Sequence, residues 1–106
     1  MRIIAFACLL GAGWMIAAPA IAADAAVKIG NFTFAPQELR VRAGTKVTWT
    51  NKDSAPHDVQ DLSDLKIPIS PELLQGYAFS ITYEKPGSYP YNCSLHPFMT
   101  GTVKVV

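Results

Sequence analysis

The sequence has little charge of either sign, few side chains that bind metals and no internal repetition. Nine Lys and Arg stand against eight Asp and Glu, a formal net charge of +1. That balance excludes a strongly basic nucleic-acid binder and an acidic solvating tail. The 106 residues permit one domain and exclude a large multi-domain enzyme. Only two Cys, two His and three Met occur. No low-complexity run or internal linker divides the chain.

What is present begins with a targeting pattern. Met1 and Arg2 make a minimal positive start, residues 3–18 are uncharged and largely apolar, and Pro19 breaks the run. Ala20-Ile21-Ala22 then supplies an A-x-A cleavage site. Residues 1–22 are therefore expected to be a cleaved secretory signal peptide, and residues 23–106 a single periplasmic domain. The alternative is an uncleaved anchor, because residues 3–23 carry no charge and just suffice to span a bilayer. After cleavage no membrane span remains. Arg2 leaves with the signal, so eight basic residues face eight acidic ones. Cys8 also leaves, so Cys93 is the remaining thiol and no disulfide can form within the chain. A domain this small buries only about 60–65 % of its unfolded surface and gains from a staple such as a metal. A lone thiol in an oxidising compartment should be reactive, buried or metal-bound.

The rest reads as short strands separated by turns. Residues 27–34 are rich in β-formers; Val27 and Ile29 share one parity, Phe32 and Phe34 the other, which predicts a bulge near Gly30-Asn31. Residues 39–41 and 46–50 follow, with Arg40 outward and Val47 and Trp49 inward. Residues 60–75 read as irregular, with one helical turn at 71–74 capped by Ser70. Tyr77, Phe79, Ile81 and Tyr83 alternate cleanly. Residues 84–87 form a hairpin-like turn. Tyr89, Tyr91 and Cys93 share an inner face, and Val103 and Val105 point inward from 102–106. Six to eight short strands in this length predict an all-β, Greek-key β-sandwich.

The last two strands are joined by Cys93-Ser94-Leu95-His96-Pro97-Phe98-Met99, a C-x-x-H-x-x-M loop. His57 stands at the mouth of another strand. These four residues are every Cys, His and Met of the expected mature chain. A thiolate, two imidazoles and a weak thioether form the ligand set of a type 1 copper site, in which a trigonal His, His, Cys plane carries a long axial Met. Soft sulfur suits Cu(I), and imidazole suits both oxidation states. Zinc is disfavoured by the thioether and by the lack of an open catalytic position. The expected cofactor is one copper per chain.

On these residues the sequence resembles the cupredoxins, the blue copper proteins, and within them the amicyanin group. YPYNCSLHPFMTGTVKVV is similar to the last two strands and copper loop of that group. SAPHDV is similar to its segment around the first histidine. The two-residue gap between His96 and Met99 is the short, amicyanin-type spacing. The resemblance is strongest over residues 45–59 and 83–106. It implies His57, Cys93, His96 and Met99 as ligands, with the Pro56 carbonyl near the ion. Two positions depart from the family pattern. Asp58 stands where Asn is common; it can accept a hydrogen bond from Ser94, and its charge would favour Cu(II). Leu95 replaces a Pro and restores an N–H that is expected to donate to the Cys93 sulfur. The mature chain also looks shorter than amicyanin at its N-terminus.

A copper with four protein ligands leaves no position for substrate, so no enzyme activity is expected. The resemblance implies electron transfer through the edge of His96, inside an apolar docking patch of Leu95, Pro97 and Phe98, with Pro56 and Pro68 beside it. Transient redox proteins, a c-type cytochrome and a periplasmic dehydrogenase among them, are the implied partners of a monomer, with no nucleic acid. Asp53, Asp58, Asp61 and Asp64 give a local acidic bias that would steer a basic partner. Two other classes stay open. A copper-handling protein (a chaperone, scavenger or resistance factor) would pass on the ion, and an enzyme would use Cys93 paired with His96 or His57 as a nucleophile.

Overall fold

Alternating buried and exposed residues fix the strands. The computed structural model describes residues 23–63 and 69–106; the expected signal peptide, Asp64 and Pro68 lie outside the described residues. Eight strands follow in chain order: β1 (Asp24–Gly30), β2 (Thr33–Ala35), β3 (Glu38–Val41), β4 (Thr45–Asn51), β5 (Gln60–Asp61), β6 (Ala78–Tyr83), β7 (Gly87–Asn92) and β8 (Thr100–Val105). No helix occurs among the described residues.

One sheet has the order β2-β1-β4-β6 and the other β3-β8-β7-β5. Only β1–β2 and β7–β8 pair as sequence neighbours; β1 runs parallel to β4 and β3 parallel to β8. The remaining connections cross between sheets, as a Greek-key sandwich requires. Val27, Ile29, Val47, Trp49 and Tyr83 from the first sheet pack on Tyr89, Tyr91, Val103 and Val105 from the second, all buried. Edge-to-face aromatic pairs bind the two layers. Phe34 meets Tyr91 at 4.7 Å between ring centroids, Trp49 meets Tyr91 at 5.4 Å, and Tyr83 meets Tyr89 at 4.7 Å. Each such pair adds about 0.5–1.5 kcal/mol beyond its buried area. Gly101 lies opposite Tyr91 in the β7–β8 register. A Cβ there would come 2.5 Å from the Tyr91 ring, so only glycine lets that ring lie against β8.

Three local expectations are corrected. The parity change after Ile29 is a two-residue hairpin turn, not a bulge: Gly30 pairs with Thr33 and Ile29 with Phe34. Asn31 and Phe32 both have positive φ, 51° and 57°. The helical turn at 71–74 does not form, because Leu73 is taken into a bridge with His57. Ser70 Oγ instead accepts the Val59 amide at 2.8 Å. The 84–87 turn carries the chain from β6 in one sheet to β7 in the other, so it is a crossover and not a hairpin. Together these features leave the end of β4, the β1–β2 turn and the β7–β8 loop at one end of the sandwich.

Candidate metal centre

His57 is placed by buried Asn51 at the end of β4. The Asn51 side-chain amide donates to the carbonyls of Ala55 at 2.9 Å and Leu73 at 2.8 Å, while its oxygen accepts the Asp53 amide at 2.9 Å. That fixes the loop 52–56. The bridge from His57 N to Leu73 O, 3.1 Å, and from Leu73 N to His57 O, 2.7 Å, then fixes the His57 backbone. On the other side, the β7–β8 loop is wound by three hydrogen bonds. His96 N donates to Cys93 O, Met99 N to His96 O and Cys93 N to Met99 O, at 3.2, 2.9 and 3.1 Å. These successive turns bring residues three apart to one side.

The donor atoms converge. Cys93 Sγ lies 3.8 Å from His57 Nδ1 and 3.7 Å from His96 Nδ1, and the two Nδ1 atoms lie 3.1 Å apart. A point at the centre of that triangle is about 2.1 Å from all three atoms, the range of a transition-metal bond to imidazole nitrogen or thiolate sulfur. Cys93, His57 and Met99 are buried; His96 is half-buried. A thiolate and two imidazoles converging on one point, with buried Met99 on the same loop as Cys93 and His96, fit copper.

Polar neighbours orient the donors. His57 Nε2 faces Asp53 Oδ2 at 2.9 Å. With the proton on Nε2, the Nδ1 lone pair points into the triangle. Burial pushes the Asp53 carboxyl up, but the Phe32 amide, the His57 ring and the Asn31 amide outweigh it and hold it below the usual carboxylate value. The Asp58 amide donates to Cys93 Sγ at 3.4 Å. The buried Asp58 carboxylate accepts the Ser94 amide at 2.7 Å and also pairs with the Ser94 hydroxyl. Asp58 thus ties the His57 segment to the residue after Cys93, as the resemblance leads one to expect. The donor to sulfur is the Asp58 amide rather than that of Leu95, which corrects the expected hydrogen bond.

Leu95, Pro97 and Phe98 are exposed around half-buried His96, and Pro56 is half-buried before His57. Among the described residues the expected acidic bias is largely engaged within the chain, Asp61 Oδ2 accepting the Ser63 amide at 3.1 Å and the Ser63 hydroxyl at 2.7 Å. Asp58 is buried, and Asp53 is turned inward to His57 and to the Asn31 and Phe32 amides. Sequence reasoning missed the placing roles of Asn51 and Asp53, and missed Phe32, whose ring edges onto both imidazoles. The Asn51-x-Asp53 spacing, an Asx-turn pattern before a histidine, was the available signal.

Known proteins resemble this chain in sequence and in fold. A family profile described as copper binding proteins, plastocyanin/azurin family, matches residues 21–106. Amicyanin-alpha of Methylorubrum extorquens is 37% identical, covering 99% of this chain and 99% of its own. The amicyanin of Paracoccus denitrificans is 36% identical over 74% of this chain and 63% of its own length. The match thus runs nearly end to end in the first pair, whereas in the second it leaves about a third of the relative and about a quarter of this chain unaligned. Among solved structures, a purple cupredoxin from Nitrosopumilus maritimus superposes with a TM-score of 0.73 at 36% identity, over 77% of this chain and 99% of that one.

Proposed function

This chain belongs to the plastocyanin/azurin family of copper-binding proteins, and from that premise we propose that it is a periplasmic one-electron carrier whose copper is held by His57, Cys93, His96 and Met99. The observation that carries the reading is the triangle of Sγ and two Nδ1 atoms, sized for one ion. Bound copper supplies a Cu(I)/Cu(II) couple. The chain's part is to hold its donors still. His57 is locked by Asp53 and by the bridge to Leu73, and Cys93 and Met99 are locked by the wound loop. Held donors keep the geometry similar in both oxidation states, so little rearrangement accompanies transfer.

His96 is the half-buried donor, and its surroundings of Leu95, Pro97 and Phe98 suit brief docking of a redox partner over a small interface. A c-type cytochrome and a periplasmic dehydrogenase are the partners of this reading. Export follows from the pattern in residues 1–22, read as a cleaved signal. Four protein donors leave no place for a substrate, which supports a carrier over an enzyme. The test is to load residues 23–106 with copper and measure electron self-exchange by NMR line broadening, together with copper loss to a chelator. Fast exchange with a retained ion is expected. Slow exchange with ready transfer of the ion to an acceptor would replace this reading with copper handling.

A further inference from the structure

Phe32 occupies a position that the fold does not require an aromatic ring to fill. It is the second residue of the β1–β2 turn and has φ 57°, a left-handed conformation that aromatic residues rarely adopt. Its side chain is 40% exposed, so core burial does not hold it there. Two other contacts do. The Asp53 carboxylate accepts the Asn31 amide at 2.7 Å and the Phe32 amide at 2.9 Å, while the same carboxylate holds His57 Nε2. The ring then stands edge-on to both histidines, 5.1 Å from His57 and 5.0 Å from His96 between centroids, each at 89°. Beside it lies a cleft of about 390 Å³ between the β1–β2 turn and the copper loop, lined by Phe32, Phe34, Gln37, Phe98, Met99 and Thr100. Phe32 is thus both a wall of this cleft and the cover of the imidazole pair.

We propose that Phe32 is a shutter: it holds the His96 ring in its ligating pose and closes the centre to small ligands that reach it through this cleft. The proposal rests on the copper reading of the site for one of its measurements and is independent of it for the other. Asp53 couples the shutter to the site, because one carboxylate positions both the His57 ring and the turn that carries Phe32.

The deciding variant is Phe32→Gly, with Phe32→Tyr as the conservative control. Glycine accepts the positive φ and makes Asn-Gly, a favoured pair for this hairpin turn, so folding is not expected to suffer. In the copper(II) proteins, azide is titrated and its charge-transfer band followed by absorption and EPR. Loss of two aromatic edge contacts predicts azide affinity higher by about tenfold in Phe32→Gly, with Phe32→Tyr like the wild type. In the apoproteins, the rate of Cys93 modification by a small neutral thiol reagent is measured. It should rise by about tenfold in Phe32→Gly only, with the thermal midpoint close to wild type. A wild type that gives no blue copper product sinks the copper reading, and the Cys93 rate still decides the shutter. Equal Cys93 rates and equal azide affinities in wild type and Phe32→Gly would overturn the proposal.

Discussion

Replacing Asp58 with asparagine removes one negative charge from beside Cys93 and disturbs little else. The carboxylate is buried, accepts the Ser94 amide at 2.7 Å and pairs with the Ser94 hydroxyl. Asparagine keeps an oxygen for the amide and offers an NH2 to the hydroxyl, so the tie to the residue after Cys93 survives. The Asp58 amide that donates to Sγ is backbone and is unaffected. What changes is the field at the ion. A negative charge favours Cu(II) over Cu(I), so it lowers the potential, and its removal raises it. In general, a unit charge about 7 Å from an ion contributes on the order of 1–2.5 kcal/mol at an effective dielectric of about 20–40. That converts to roughly 50–100 mV for one electron. Protein-film voltammetry of wild type and Asp58→Asn at neutral pH reads the shift directly. Because the group is buried, added salt should reduce the shift only slightly. An unchanged or lower potential in Asp58→Asn, with the absorption spectrum intact, would refute the electrostatic reasoning.

Further expectations concern the groups around that charge. Asp53→Ala removes the carboxylate that orients His57, and copper affinity in a competitive titration should fall about 10- to 100-fold; an unchanged affinity would mean that the ring needs no such partner. In the apoprotein the Asp53 carboxyl is held below its ordinary value of 3.8, so its stabilisation is present above that value and is lost as pH falls through the lowered one. Asp53→Asn should therefore flatten the acid limb of a stability-versus-pH curve, and an unaltered limb would count against the contact. Leu95→Pro should leave the potential unchanged, since the sulfur takes its hydrogen bond from Asp58 N; a clear fall would restore a role for the Leu95 amide. Gly101→Ala drives a methyl to 2.5 Å from the Tyr91 ring and should cost about 1–3 kcal/mol in denaturant unfolding. Wild-type stability in that variant would show that the ring moves aside freely.

The sandwich was legible because its signals are local and repeat every second residue. Val47 and Trp49, or Val103 and Val105, bury alternate side chains wherever their strands lie. The donor set was legible for a different reason. Three donors lie within seven consecutive residues, and His57 was the one histidine left to complete them. What stayed hidden depends on contacts between distant segments. Asp53 read as one acid among several, and only folding brings it to the Asn31 and Phe32 amides more than twenty residues away. The Asn31-Phe32 turn lacks the glycine that usually marks such a hairpin, so the parity change before it resembled a bulge. At 71–74 the cap and the Pro gave a helical signal, but the pairing of Leu73 with His57 overrode it. The turn at 84–87 had the right residues for reversal, and turn chemistry does not tell which sheet the next strand will join.

The convergence of Cys93 Sγ with the Nδ1 atoms of His57 and His96 on one copper is tested most directly by adding one equivalent of Cu(II) to the protein of residues 23–106 and recording its visible spectrum. The triangle of donors predicts an intense blue thiolate-to-copper charge-transfer band that is absent in Cys93→Ser. A pale or colourless product, or a band that persists in Cys93→Ser, would contradict it.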